Sequence, residues 1–360
     1  MKKRKLLFNV FVLFFFMSLY QQMNAQNMPE FFELPSLPNT EGMAGMFAGK
    51  SNGSLFCMGG ANFPDKKPWE GGKKIWYDVI FMLDEKSGWS KLEQKLPSPL
   101  AYGIAVDYKD EIIIVGGNDD KDFHSAVFGL HWDGHSLKQR NLPTLPKALA
   151  NMAGTLVGNL IIVAGGTSSF QGLPLSDCYA LDLEDLGSGW VVMPTWPGPA
   201  RTQPVSGSYG GNFFLFSGEM AGVDMSGNPR RYMLQDAYRF KPEKSLGKWT
   251  GTWEILPVMP KAVSASANPV PVLGNGDFVF WGGVDATAAV HKDPVTHPGI
   301  DKKVFLFGAD TQVWSFAGIA EKYQARVTLP TVLWKGNWLY ISGEIKPGIR
   351  INSIVGIKNK

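Results

Sequence analysis

An all-β fold, a six-bladed β-propeller whose last blade is closed by an N-terminal strand, is what the sequence predicts. Three observations predict it. A short apolar run ending in a glycine step recurs six times, each copy is followed by a second β-type run, and the two ends of the chain are complementary parts of one repeat.

The recurring core occupies residues 54–60, 112–117, 160–166, 213–219, 277–283 and 338–344, ending four times in Gly-Gly and twice in Gly-Glu. Its copies are about 50 to 65 residues apart, near the kelch period of roughly 50. The second runs begin at Asp78, Ser125, Asp177, Asp236, Lys303 and Asn352. Most copies then carry a tryptophan and a Leu-Pro step, as in Trp89 with Leu96-Pro97 or Trp253 with Leu256-Pro257. One more strand leading to the next glycine step makes four short strands per repeat, with Gly and Pro in the turns. A β-sandwich does not repeat such a unit at this period. Radial repetition does, and it leaves only short sheet edges.

The last repeat stops at Lys360 after its third strand, without the Trp and Leu-Pro strand. Residues 31–38, with Leu34-Pro35 and Leu37-Pro38, supply one. The sixth blade is therefore expected to combine three C-terminal strands with one N-terminal strand, which ties down ends that would otherwise fray. Residues 26–360 read as a single domain.

Residues 1–25 read as a secretory signal: Lys2, Lys3, Arg4 and Lys5, then an apolar run over 6–20, then a cut after Ala25. The run is shorter than the roughly 20 apolar residues of a membrane span. The expectation is a periplasmic protein, not held in a membrane once the signal is removed. The whole chain has 35 basic and 32 acidic residues, and the first 25 hold four of the basic ones and none of the acids. The apparent basicity belongs to the leader, so no nucleic-acid footprint is expected. Cys57 and Cys178 lie in separate repeats and read as unpaired apolar residues. The five histidines show no metal-ligand spacing, and neither metal nor cofactor is expected. Nothing in the sequence specifies an oligomeric state.

Each glycine step ends the same strand of its blade, so the six loops that follow emerge on one face. The long ones are 61–77, 167–176, 220–235 and 284–302. Loops on a rigid scaffold carry binding residues, which makes this face, near the central channel, the expected site. Two blades have glutamate, Glu219 and Glu344, where the others have the second glycine. After Glu344, a Pro347-Gly348 turn returns Arg350 toward the carboxylate. That pair reads either as a proton-transfer group beside an anion-binding guanidinium or as a salt bridge pinning a turn. Glu219 has Arg230 and Arg231 in its loop. Arg201 and Arg326 start inner strands and either face the channel or are simply solvated strand ends. Tyr102 is another inner-strand candidate, with core packing as the competing explanation. The first blade's loop, from Asn62 to Lys73, mixes aromatic residues, a carboxylate and an amine, a combination suited to sugars.

The segment 343–350 (GEIKPGIR) resembles a Gly-Glu-Ala-Lys-Pro-Gly-Leu-Arg stretch of bacterial N-acetylneuraminate epimerases, sialic acid mutarotases of kelch type. Residues 42–49, 59–63, 70–74 and 101–104 are similar to further segments of that family. In the family the Gly-Glu blade precedes the Gly-Gly-Ala blade. Here it comes last, a cyclic permutation that preserves neighbours on a closed ring. The chain departs from the pattern at Leu100, where the family has arginine, and in 284–302, a shortened insertion. The resemblance implies interconversion of the α and β anomers of N-acetylneuraminate or a related sugar acid, through an open keto form. It implies Glu344 as proton acceptor and donor, with Arg350 and Arg201 holding the sugar carboxylate. Tyr102, Asn62 and Lys73 are the further expected substrate contacts. The alternatives are a non-catalytic propeller that binds glycans or proteins and, with weaker support, an oxidase on the same scaffold, which would need a copper site.

Overall fold

The computed structural model describes residues 28–291 and 293–359; the expected signal over 1–25 lies outside them. Six antiparallel sheets form the blades of a propeller. Blade 1 runs Phe47–Ser51, Ser54–Met58, Ile80–Asp84 and Gly88–Lys91. Blade 2 runs Ile104–Tyr108, Glu111–Val115, Val127–Trp132 and Leu137–Asn141. Blade 3 comprises Ala153–Val157, Leu160–Ala164, Cys178–Asp182 and Trp190–Val192, and blade 4 comprises Val205–Tyr209, Asn212–Phe216, Ala237–Ser245 and Lys248–Leu256.

Blade 6 closes as expected. Thr331–Trp334, Asn337–Ile341 and Ile354–Lys358 are completed by Phe31–Leu34, paired antiparallel with Phe31 opposite Ile357 and Leu34 opposite Ile354. Blade 5 departs from four strands per repeat. Only Asp277–Trp281, Lys303–Gly308 and Trp314–Ile319 form its sheet. The cause is Pro269 and Pro271, which have no N–H to give to a ladder. The segment keeps only a single bridge to its own blade, Val272 to Phe278, and also bonds sideways: the Val270 N–H donates to the Ser206 carbonyl at 2.7 Å, and that of Asn268 to the Leu329 carbonyl at 3.2 Å.

There is one apolar layer at each blade junction. Side chains alternate along a strand, so within Ser54–Met58, Leu55 and Cys57 pack toward blade 6 while Phe56 and Met58 pack toward blade 2. Both faces being buried is why the recurring cores read as continuous apolar runs. Cys57 and Cys178 sit in different layers, each buried and free.

The Trp and Leu-Pro elements also acquire a physical role. The indole N–H of Trp89 donates to the Pro35 carbonyl at 2.9 Å, Trp190 to Pro143 at 2.8 Å, Trp253 to Pro194 at 2.7 Å and Trp314 to Pro257 at 3.0 Å. Each bond fastens the outer strand of one blade to the proline step of the blade before it. Pro35, just after the N-terminal strand, plays that part for blade 6.

At the axis, one residue per blade junction adopts a left-handed conformation. Gly45, Tyr102, Asn151, Gln203, Ala265 and Thr328 have φ between 49° and 65°. The N–H of each donates to the carbonyl of the previous one at 2.6–3.0 Å, and Gly45 donates to Thr328. These six bonds make a closed ring of backbone around the channel mouth. A non-glycine residue in this conformation costs about 1–2 kcal/mol, offset here because each ring residue both gives and accepts a hydrogen bond.

Candidate active site

In every blade, the residue after the glycine step bridges antiparallel to the residue just before the ring: Ala61 to Ala44, Asn118 to Ala101, Thr167 to Ala150, Glu219 to Thr202, Val284 to Ser264 and Glu344 to Val327. This register corrects the sequence alignment. Gly218 and Gly343 hold the second-glycine position, and the two glutamates stand one residue beyond it. The residues replaced are the first glycines, by Ser217 and Ser342 at φ 51° and 56°. Their hydroxyls hold that backbone in place. Ser342 Oγ accepts from the Met43 N–H at 2.8 Å and donates to the Ile351 carbonyl at 2.7 Å, joining blade 6 to blade 1. Ser217 Oγ accepts from the Val263 N–H at 3.0 Å and donates to the Leu234 carbonyl at 2.6 Å.

The short hairpin Glu344–Lys346 with Ile349–Arg350 places Glu344 opposite Arg350. Its turn needs Gly348, at φ 73°, because a Cβ there would meet the Pro68 ring at 2.5 Å. Arg350 Nη2 lies 2.7 Å from Glu344 Oε2. The guanidinium is buried, rests 4.7 Å from the Phe63 ring centre, and leaves Nε and Nη1 without a hydrogen-bond partner among the described residues. Unmade bonds of this kind cost about 1–3 kcal/mol, more for a charged group, so an acceptor belongs there. Burial raises the Glu344 pKa above the usual carboxylate range; the Arg350 charge, a backbone N–H from Gly348 and the Lys74 charge each oppose the rise.

Lys74 connects this pair to the face of the propeller. Its ammonium lies 5.8 Å from the Phe63 ring centre, 5.3 Å from that of Trp76 and 5.1 Å from that of Tyr102. Lys74, Trp76 and Tyr102 form one end of a cleft of about 380 Å³ whose other end is Glu219 and Arg231. Small-molecule sites occupy roughly 300–1,000 Å³. The channel below, lined by the ring residues, has only about 70 Å³, the share of about two waters in the liquid. The usable space is the cleft above the ring, not the channel.

The other expected contacts are placed as follows. Tyr102 stands at the cleft, held in the ring and stacked under Lys74. Arg201 does not reach it. Its guanidinium is fully buried between Trp196 and Tyr238, donates to both carboxylate oxygens of Asp236 at 2.8 and 2.7 Å, and gives its Nε and a second Nη1 bond to the Pro199 and Ser217 carbonyls. Asn62 is buried too, and its amide is taken by the Glu41 and Gly42 carbonyls and the Phe63 N–H. Lys73 is exposed; its neighbour Lys74 occupies the site. Alternation along the strand Ile75–Trp76 decides this, since Trp76 and Lys74 share one face while Lys73 and Ile75 point outward. Arg326 is enclosed like Arg201, bonded to the Ser342 and Ser353 carbonyls, and burial brings its pKa down to about 10. Leu100 packs in the layer between blades 1 and 2.

Glu219 sits in blade 4 where Glu344 sits in blade 6. Its Oε1 accepts from Ser264 Oγ at 2.7 Å, and Arg231 Nη1 approaches its Oε2 to 3.6 Å. Arg230 stacks on Tyr232 instead.

Comparison with known proteins bears on this arrangement. The solved structure of YjhT superposes with a TM-score of 0.66 over 91% of this chain and 97% of its own, at 13% identity, a likeness of fold. The N-acetylneuraminate epimerase of Haemophilus influenzae (strain PittEE) is 26% identical over 235 residues, 60% of this chain and 58% of that protein. That of Brucella suis (strain ATCC 23445 / NCTC 10510) is 38% identical over 122 residues, 30% of this chain and 31% of that protein. These matches span less than two thirds of either relative. The N-acetylneuraminate epimerase family model matches residues 19–139 and 142–293, ending before the blade that carries Glu344 and Arg350. With a match over most of its length and a propeller closed so that this last blade adjoins the first, the chain belongs to the N-acetylneuraminate epimerase family.

Proposed function

We propose that this protein is a periplasmic mutarotase that interconverts the α and β anomers of N-acetylneuraminate or a closely related sugar acid. The observation that carries the proposal is Arg350, a buried guanidinium with two unpartnered donors, ion-paired to a carboxyl group whose pKa is raised. A planar guanidinium suits a substrate carboxylate better than an ammonium does. In a 2-keto sugar acid the carboxylate is bonded to the anomeric carbon, so holding it at Arg350 puts that carbon beside Glu344.

The reaction needs one proton taken from the anomeric hydroxyl and one given to the ring oxygen. As the proton leaves for the Glu344 carboxylate, the hydroxyl oxygen becomes the keto carbonyl and the bond from the anomeric carbon to the ring oxygen breaks. The ring oxygen leaves as a hydroxyl with the proton the carboxyl returns. Both oxygens are attached to one carbon, so a single carboxyl group serves both. Rotation about the bond next to the carbonyl presents its other face, and the reverse transfers close the other anomer. A raised pKa favours this cycle because the same group must accept and release a proton near neutral pH.

Anomer exchange of N-acetylneuraminate, followed by NMR for the parent and for folded Glu344→Gln, tests the reading. Acceleration by the parent, lost in the variant, is the expected result. A folded parent that leaves exchange at its uncatalysed rate would overturn the assignment, and binding without exchange would make the chain a glycan-binding propeller.

A further inference from the structure

The Glu344–Arg350 pair accounts for the carboxylate and anomeric carbon of such a substrate but leaves the far end of the cleft without a role. We infer that the rest of this cleft, with Phe123 and Phe170 along its side and Glu219 and Arg231 at its far end, is a second subsite. It takes the hydroxylated tail and acylamido group of the sugar acid and decides which sugar acids are accepted. The inference rests on the reading above, since that places the anomeric end at Glu344.

Three observations carry it. The two sites are joined: Arg350 and Lys74 lie against the same Phe63 ring, 4.7 and 5.8 Å from its centre, and Lys74 lines the cleft together with Glu219. The space suits a single small molecule, about 380 Å³, and it continues away from the pair toward blades 2 to 4. Finally, its walls divide by chemistry. Phe123 and Phe170 meet edge to face at 5.1 Å, and Phe170 is 51% exposed, an apolar patch at a polar site. It matches the methyl of an acylamido group. Glu219 is mostly buried, with one oxygen taken by Ser264 and the other only loosely approached by Arg231. A carboxylate accepts about four hydrogen bonds, so it has capacity left for the paired hydroxyls of a polyol tail. Arg231, whose side chain is 47% exposed, donates from the opposite strand of the hairpin Glu219–Val223 with Pro229–Met233.

The test compares kcat/KM for anomer exchange of nine-carbon N-acetylneuraminate with that of a seven-carbon analogue lacking the last two carbinols. The parent should favour the longer sugar. Glu219→Gln, which keeps an oxygen for Ser264, and Phe170→Ala, at an exposed side chain, should each be measured. Losing a hydrogen bond to a charged group changes affinity about tenfold or more. Glu219→Gln should therefore reduce the preference by about that factor, mainly through KM, while Phe170→Ala raises KM for both sugars. A parent with no preference, or a preference intact in Glu219→Gln, would overturn the inference while leaving the mutarotase reading in place. If the parent accelerates exchange of neither sugar, that reading fails and saturation-transfer NMR decides the subsite. Tail and N-acetyl signals saturated in the parent and lost in both variants would support it; their absence in the parent would overturn it.

Discussion

Blades 4 and 6 carry the same Ser-Gly-Glu step, and the propeller uses it for different ends. In each, serine replaces a left-handed glycine and bonds to the next blade, and an arginine buried below donates to the serine carbonyl. From there they diverge. Below blade 4 the arginine has an aspartate: Arg201 is paired with Asp236. Below blade 6 the equivalent residue is Ser353, so Arg326 has backbone carbonyls and no carboxylate. Above the step, blade 4 extends a long hairpin whose Arg231 only approaches Glu219, whereas the tight turn of blade 6 clamps Arg350 onto Glu344. One motif thus yields a carboxylate only loosely approached by its arginine and one tightly paired with it. Loop length is the cause, because it sets how far the returning arginine can stand off.

The largest expected effect separates the two glutamates. Glu344→Gln should slow anomer exchange by roughly 10²–10⁴-fold, the usual weight of a general acid–base group, whereas Glu219→Gln should change kcat by less than about tenfold. Steady-state exchange NMR on both variants measures this, and equal losses would mean that the two carboxylates are not divided as described. Next comes Asp236→Ala, which leaves a buried arginine unpaired and should destabilise the fold by about 3–5 kcal/mol in urea titration. Little change there would show that the carbonyl partners alone sustain Arg201.

The pH dependence of exchange sharpens the contrast further. Glu344 must be deprotonated to act as a base, and burial raises its pKa, so activity should rise with pH through a limb above the usual carboxylate range. The Arg350 and Lys74 charges both lower that pKa, Arg350 more strongly. Arg350→Met and Lys74→Met should each move the limb to higher pH, the first further than the second. A limb that stays in place in Lys74→Met would separate Lys74 from the reacting group. Smallest is Ser353→Asp, which supplies blade 6 with the carboxylate blade 4 already has. Pairing Arg326 should raise stability by about 1 kcal/mol at neutral pH, the net worth of a hydrogen bond, because desolvating the new carboxylate cancels most of the ionic attraction. The new aspartate's pKa would be depressed by that pairing, so the gain should disappear as pH falls through it. Thermal melts at neutral and acid pH check both halves.

Much of this was legible in sequence because it is local or repeats. The six cores announce themselves as runs buried on both faces, and the Leu-Pro step near the N-terminus identified the missing strand of blade 6. Glu344 and Arg350 were found because a Pro-Gly turn of fixed length lies between them. Lys74 was missed in favour of Lys73, although alternation before Trp76 was the available signal. Misreading the Gly-Glu step had a similar source: a serine in a glycine's conformation looks ordinary until its hydroxyl partners are known.

The sequence alone therefore determined the number of blades, their apolar strands, the closure of the ring and the carboxylate–guanidinium pair, all set by patterns within one repeat. Tertiary structure decided what happens between repeats. It buried Arg201 against Asp236 and spent the Asn62 amide on neighbouring backbone. It also joined Gly45, Tyr102, Asn151, Gln203, Ala265 and Thr328 into one hydrogen-bonded ring. Those six residues share no side-chain chemistry. What they share is a backbone conformation imposed by neighbours far away in the chain, and a hydrogen bond across a blade junction forms only when the whole circle has closed.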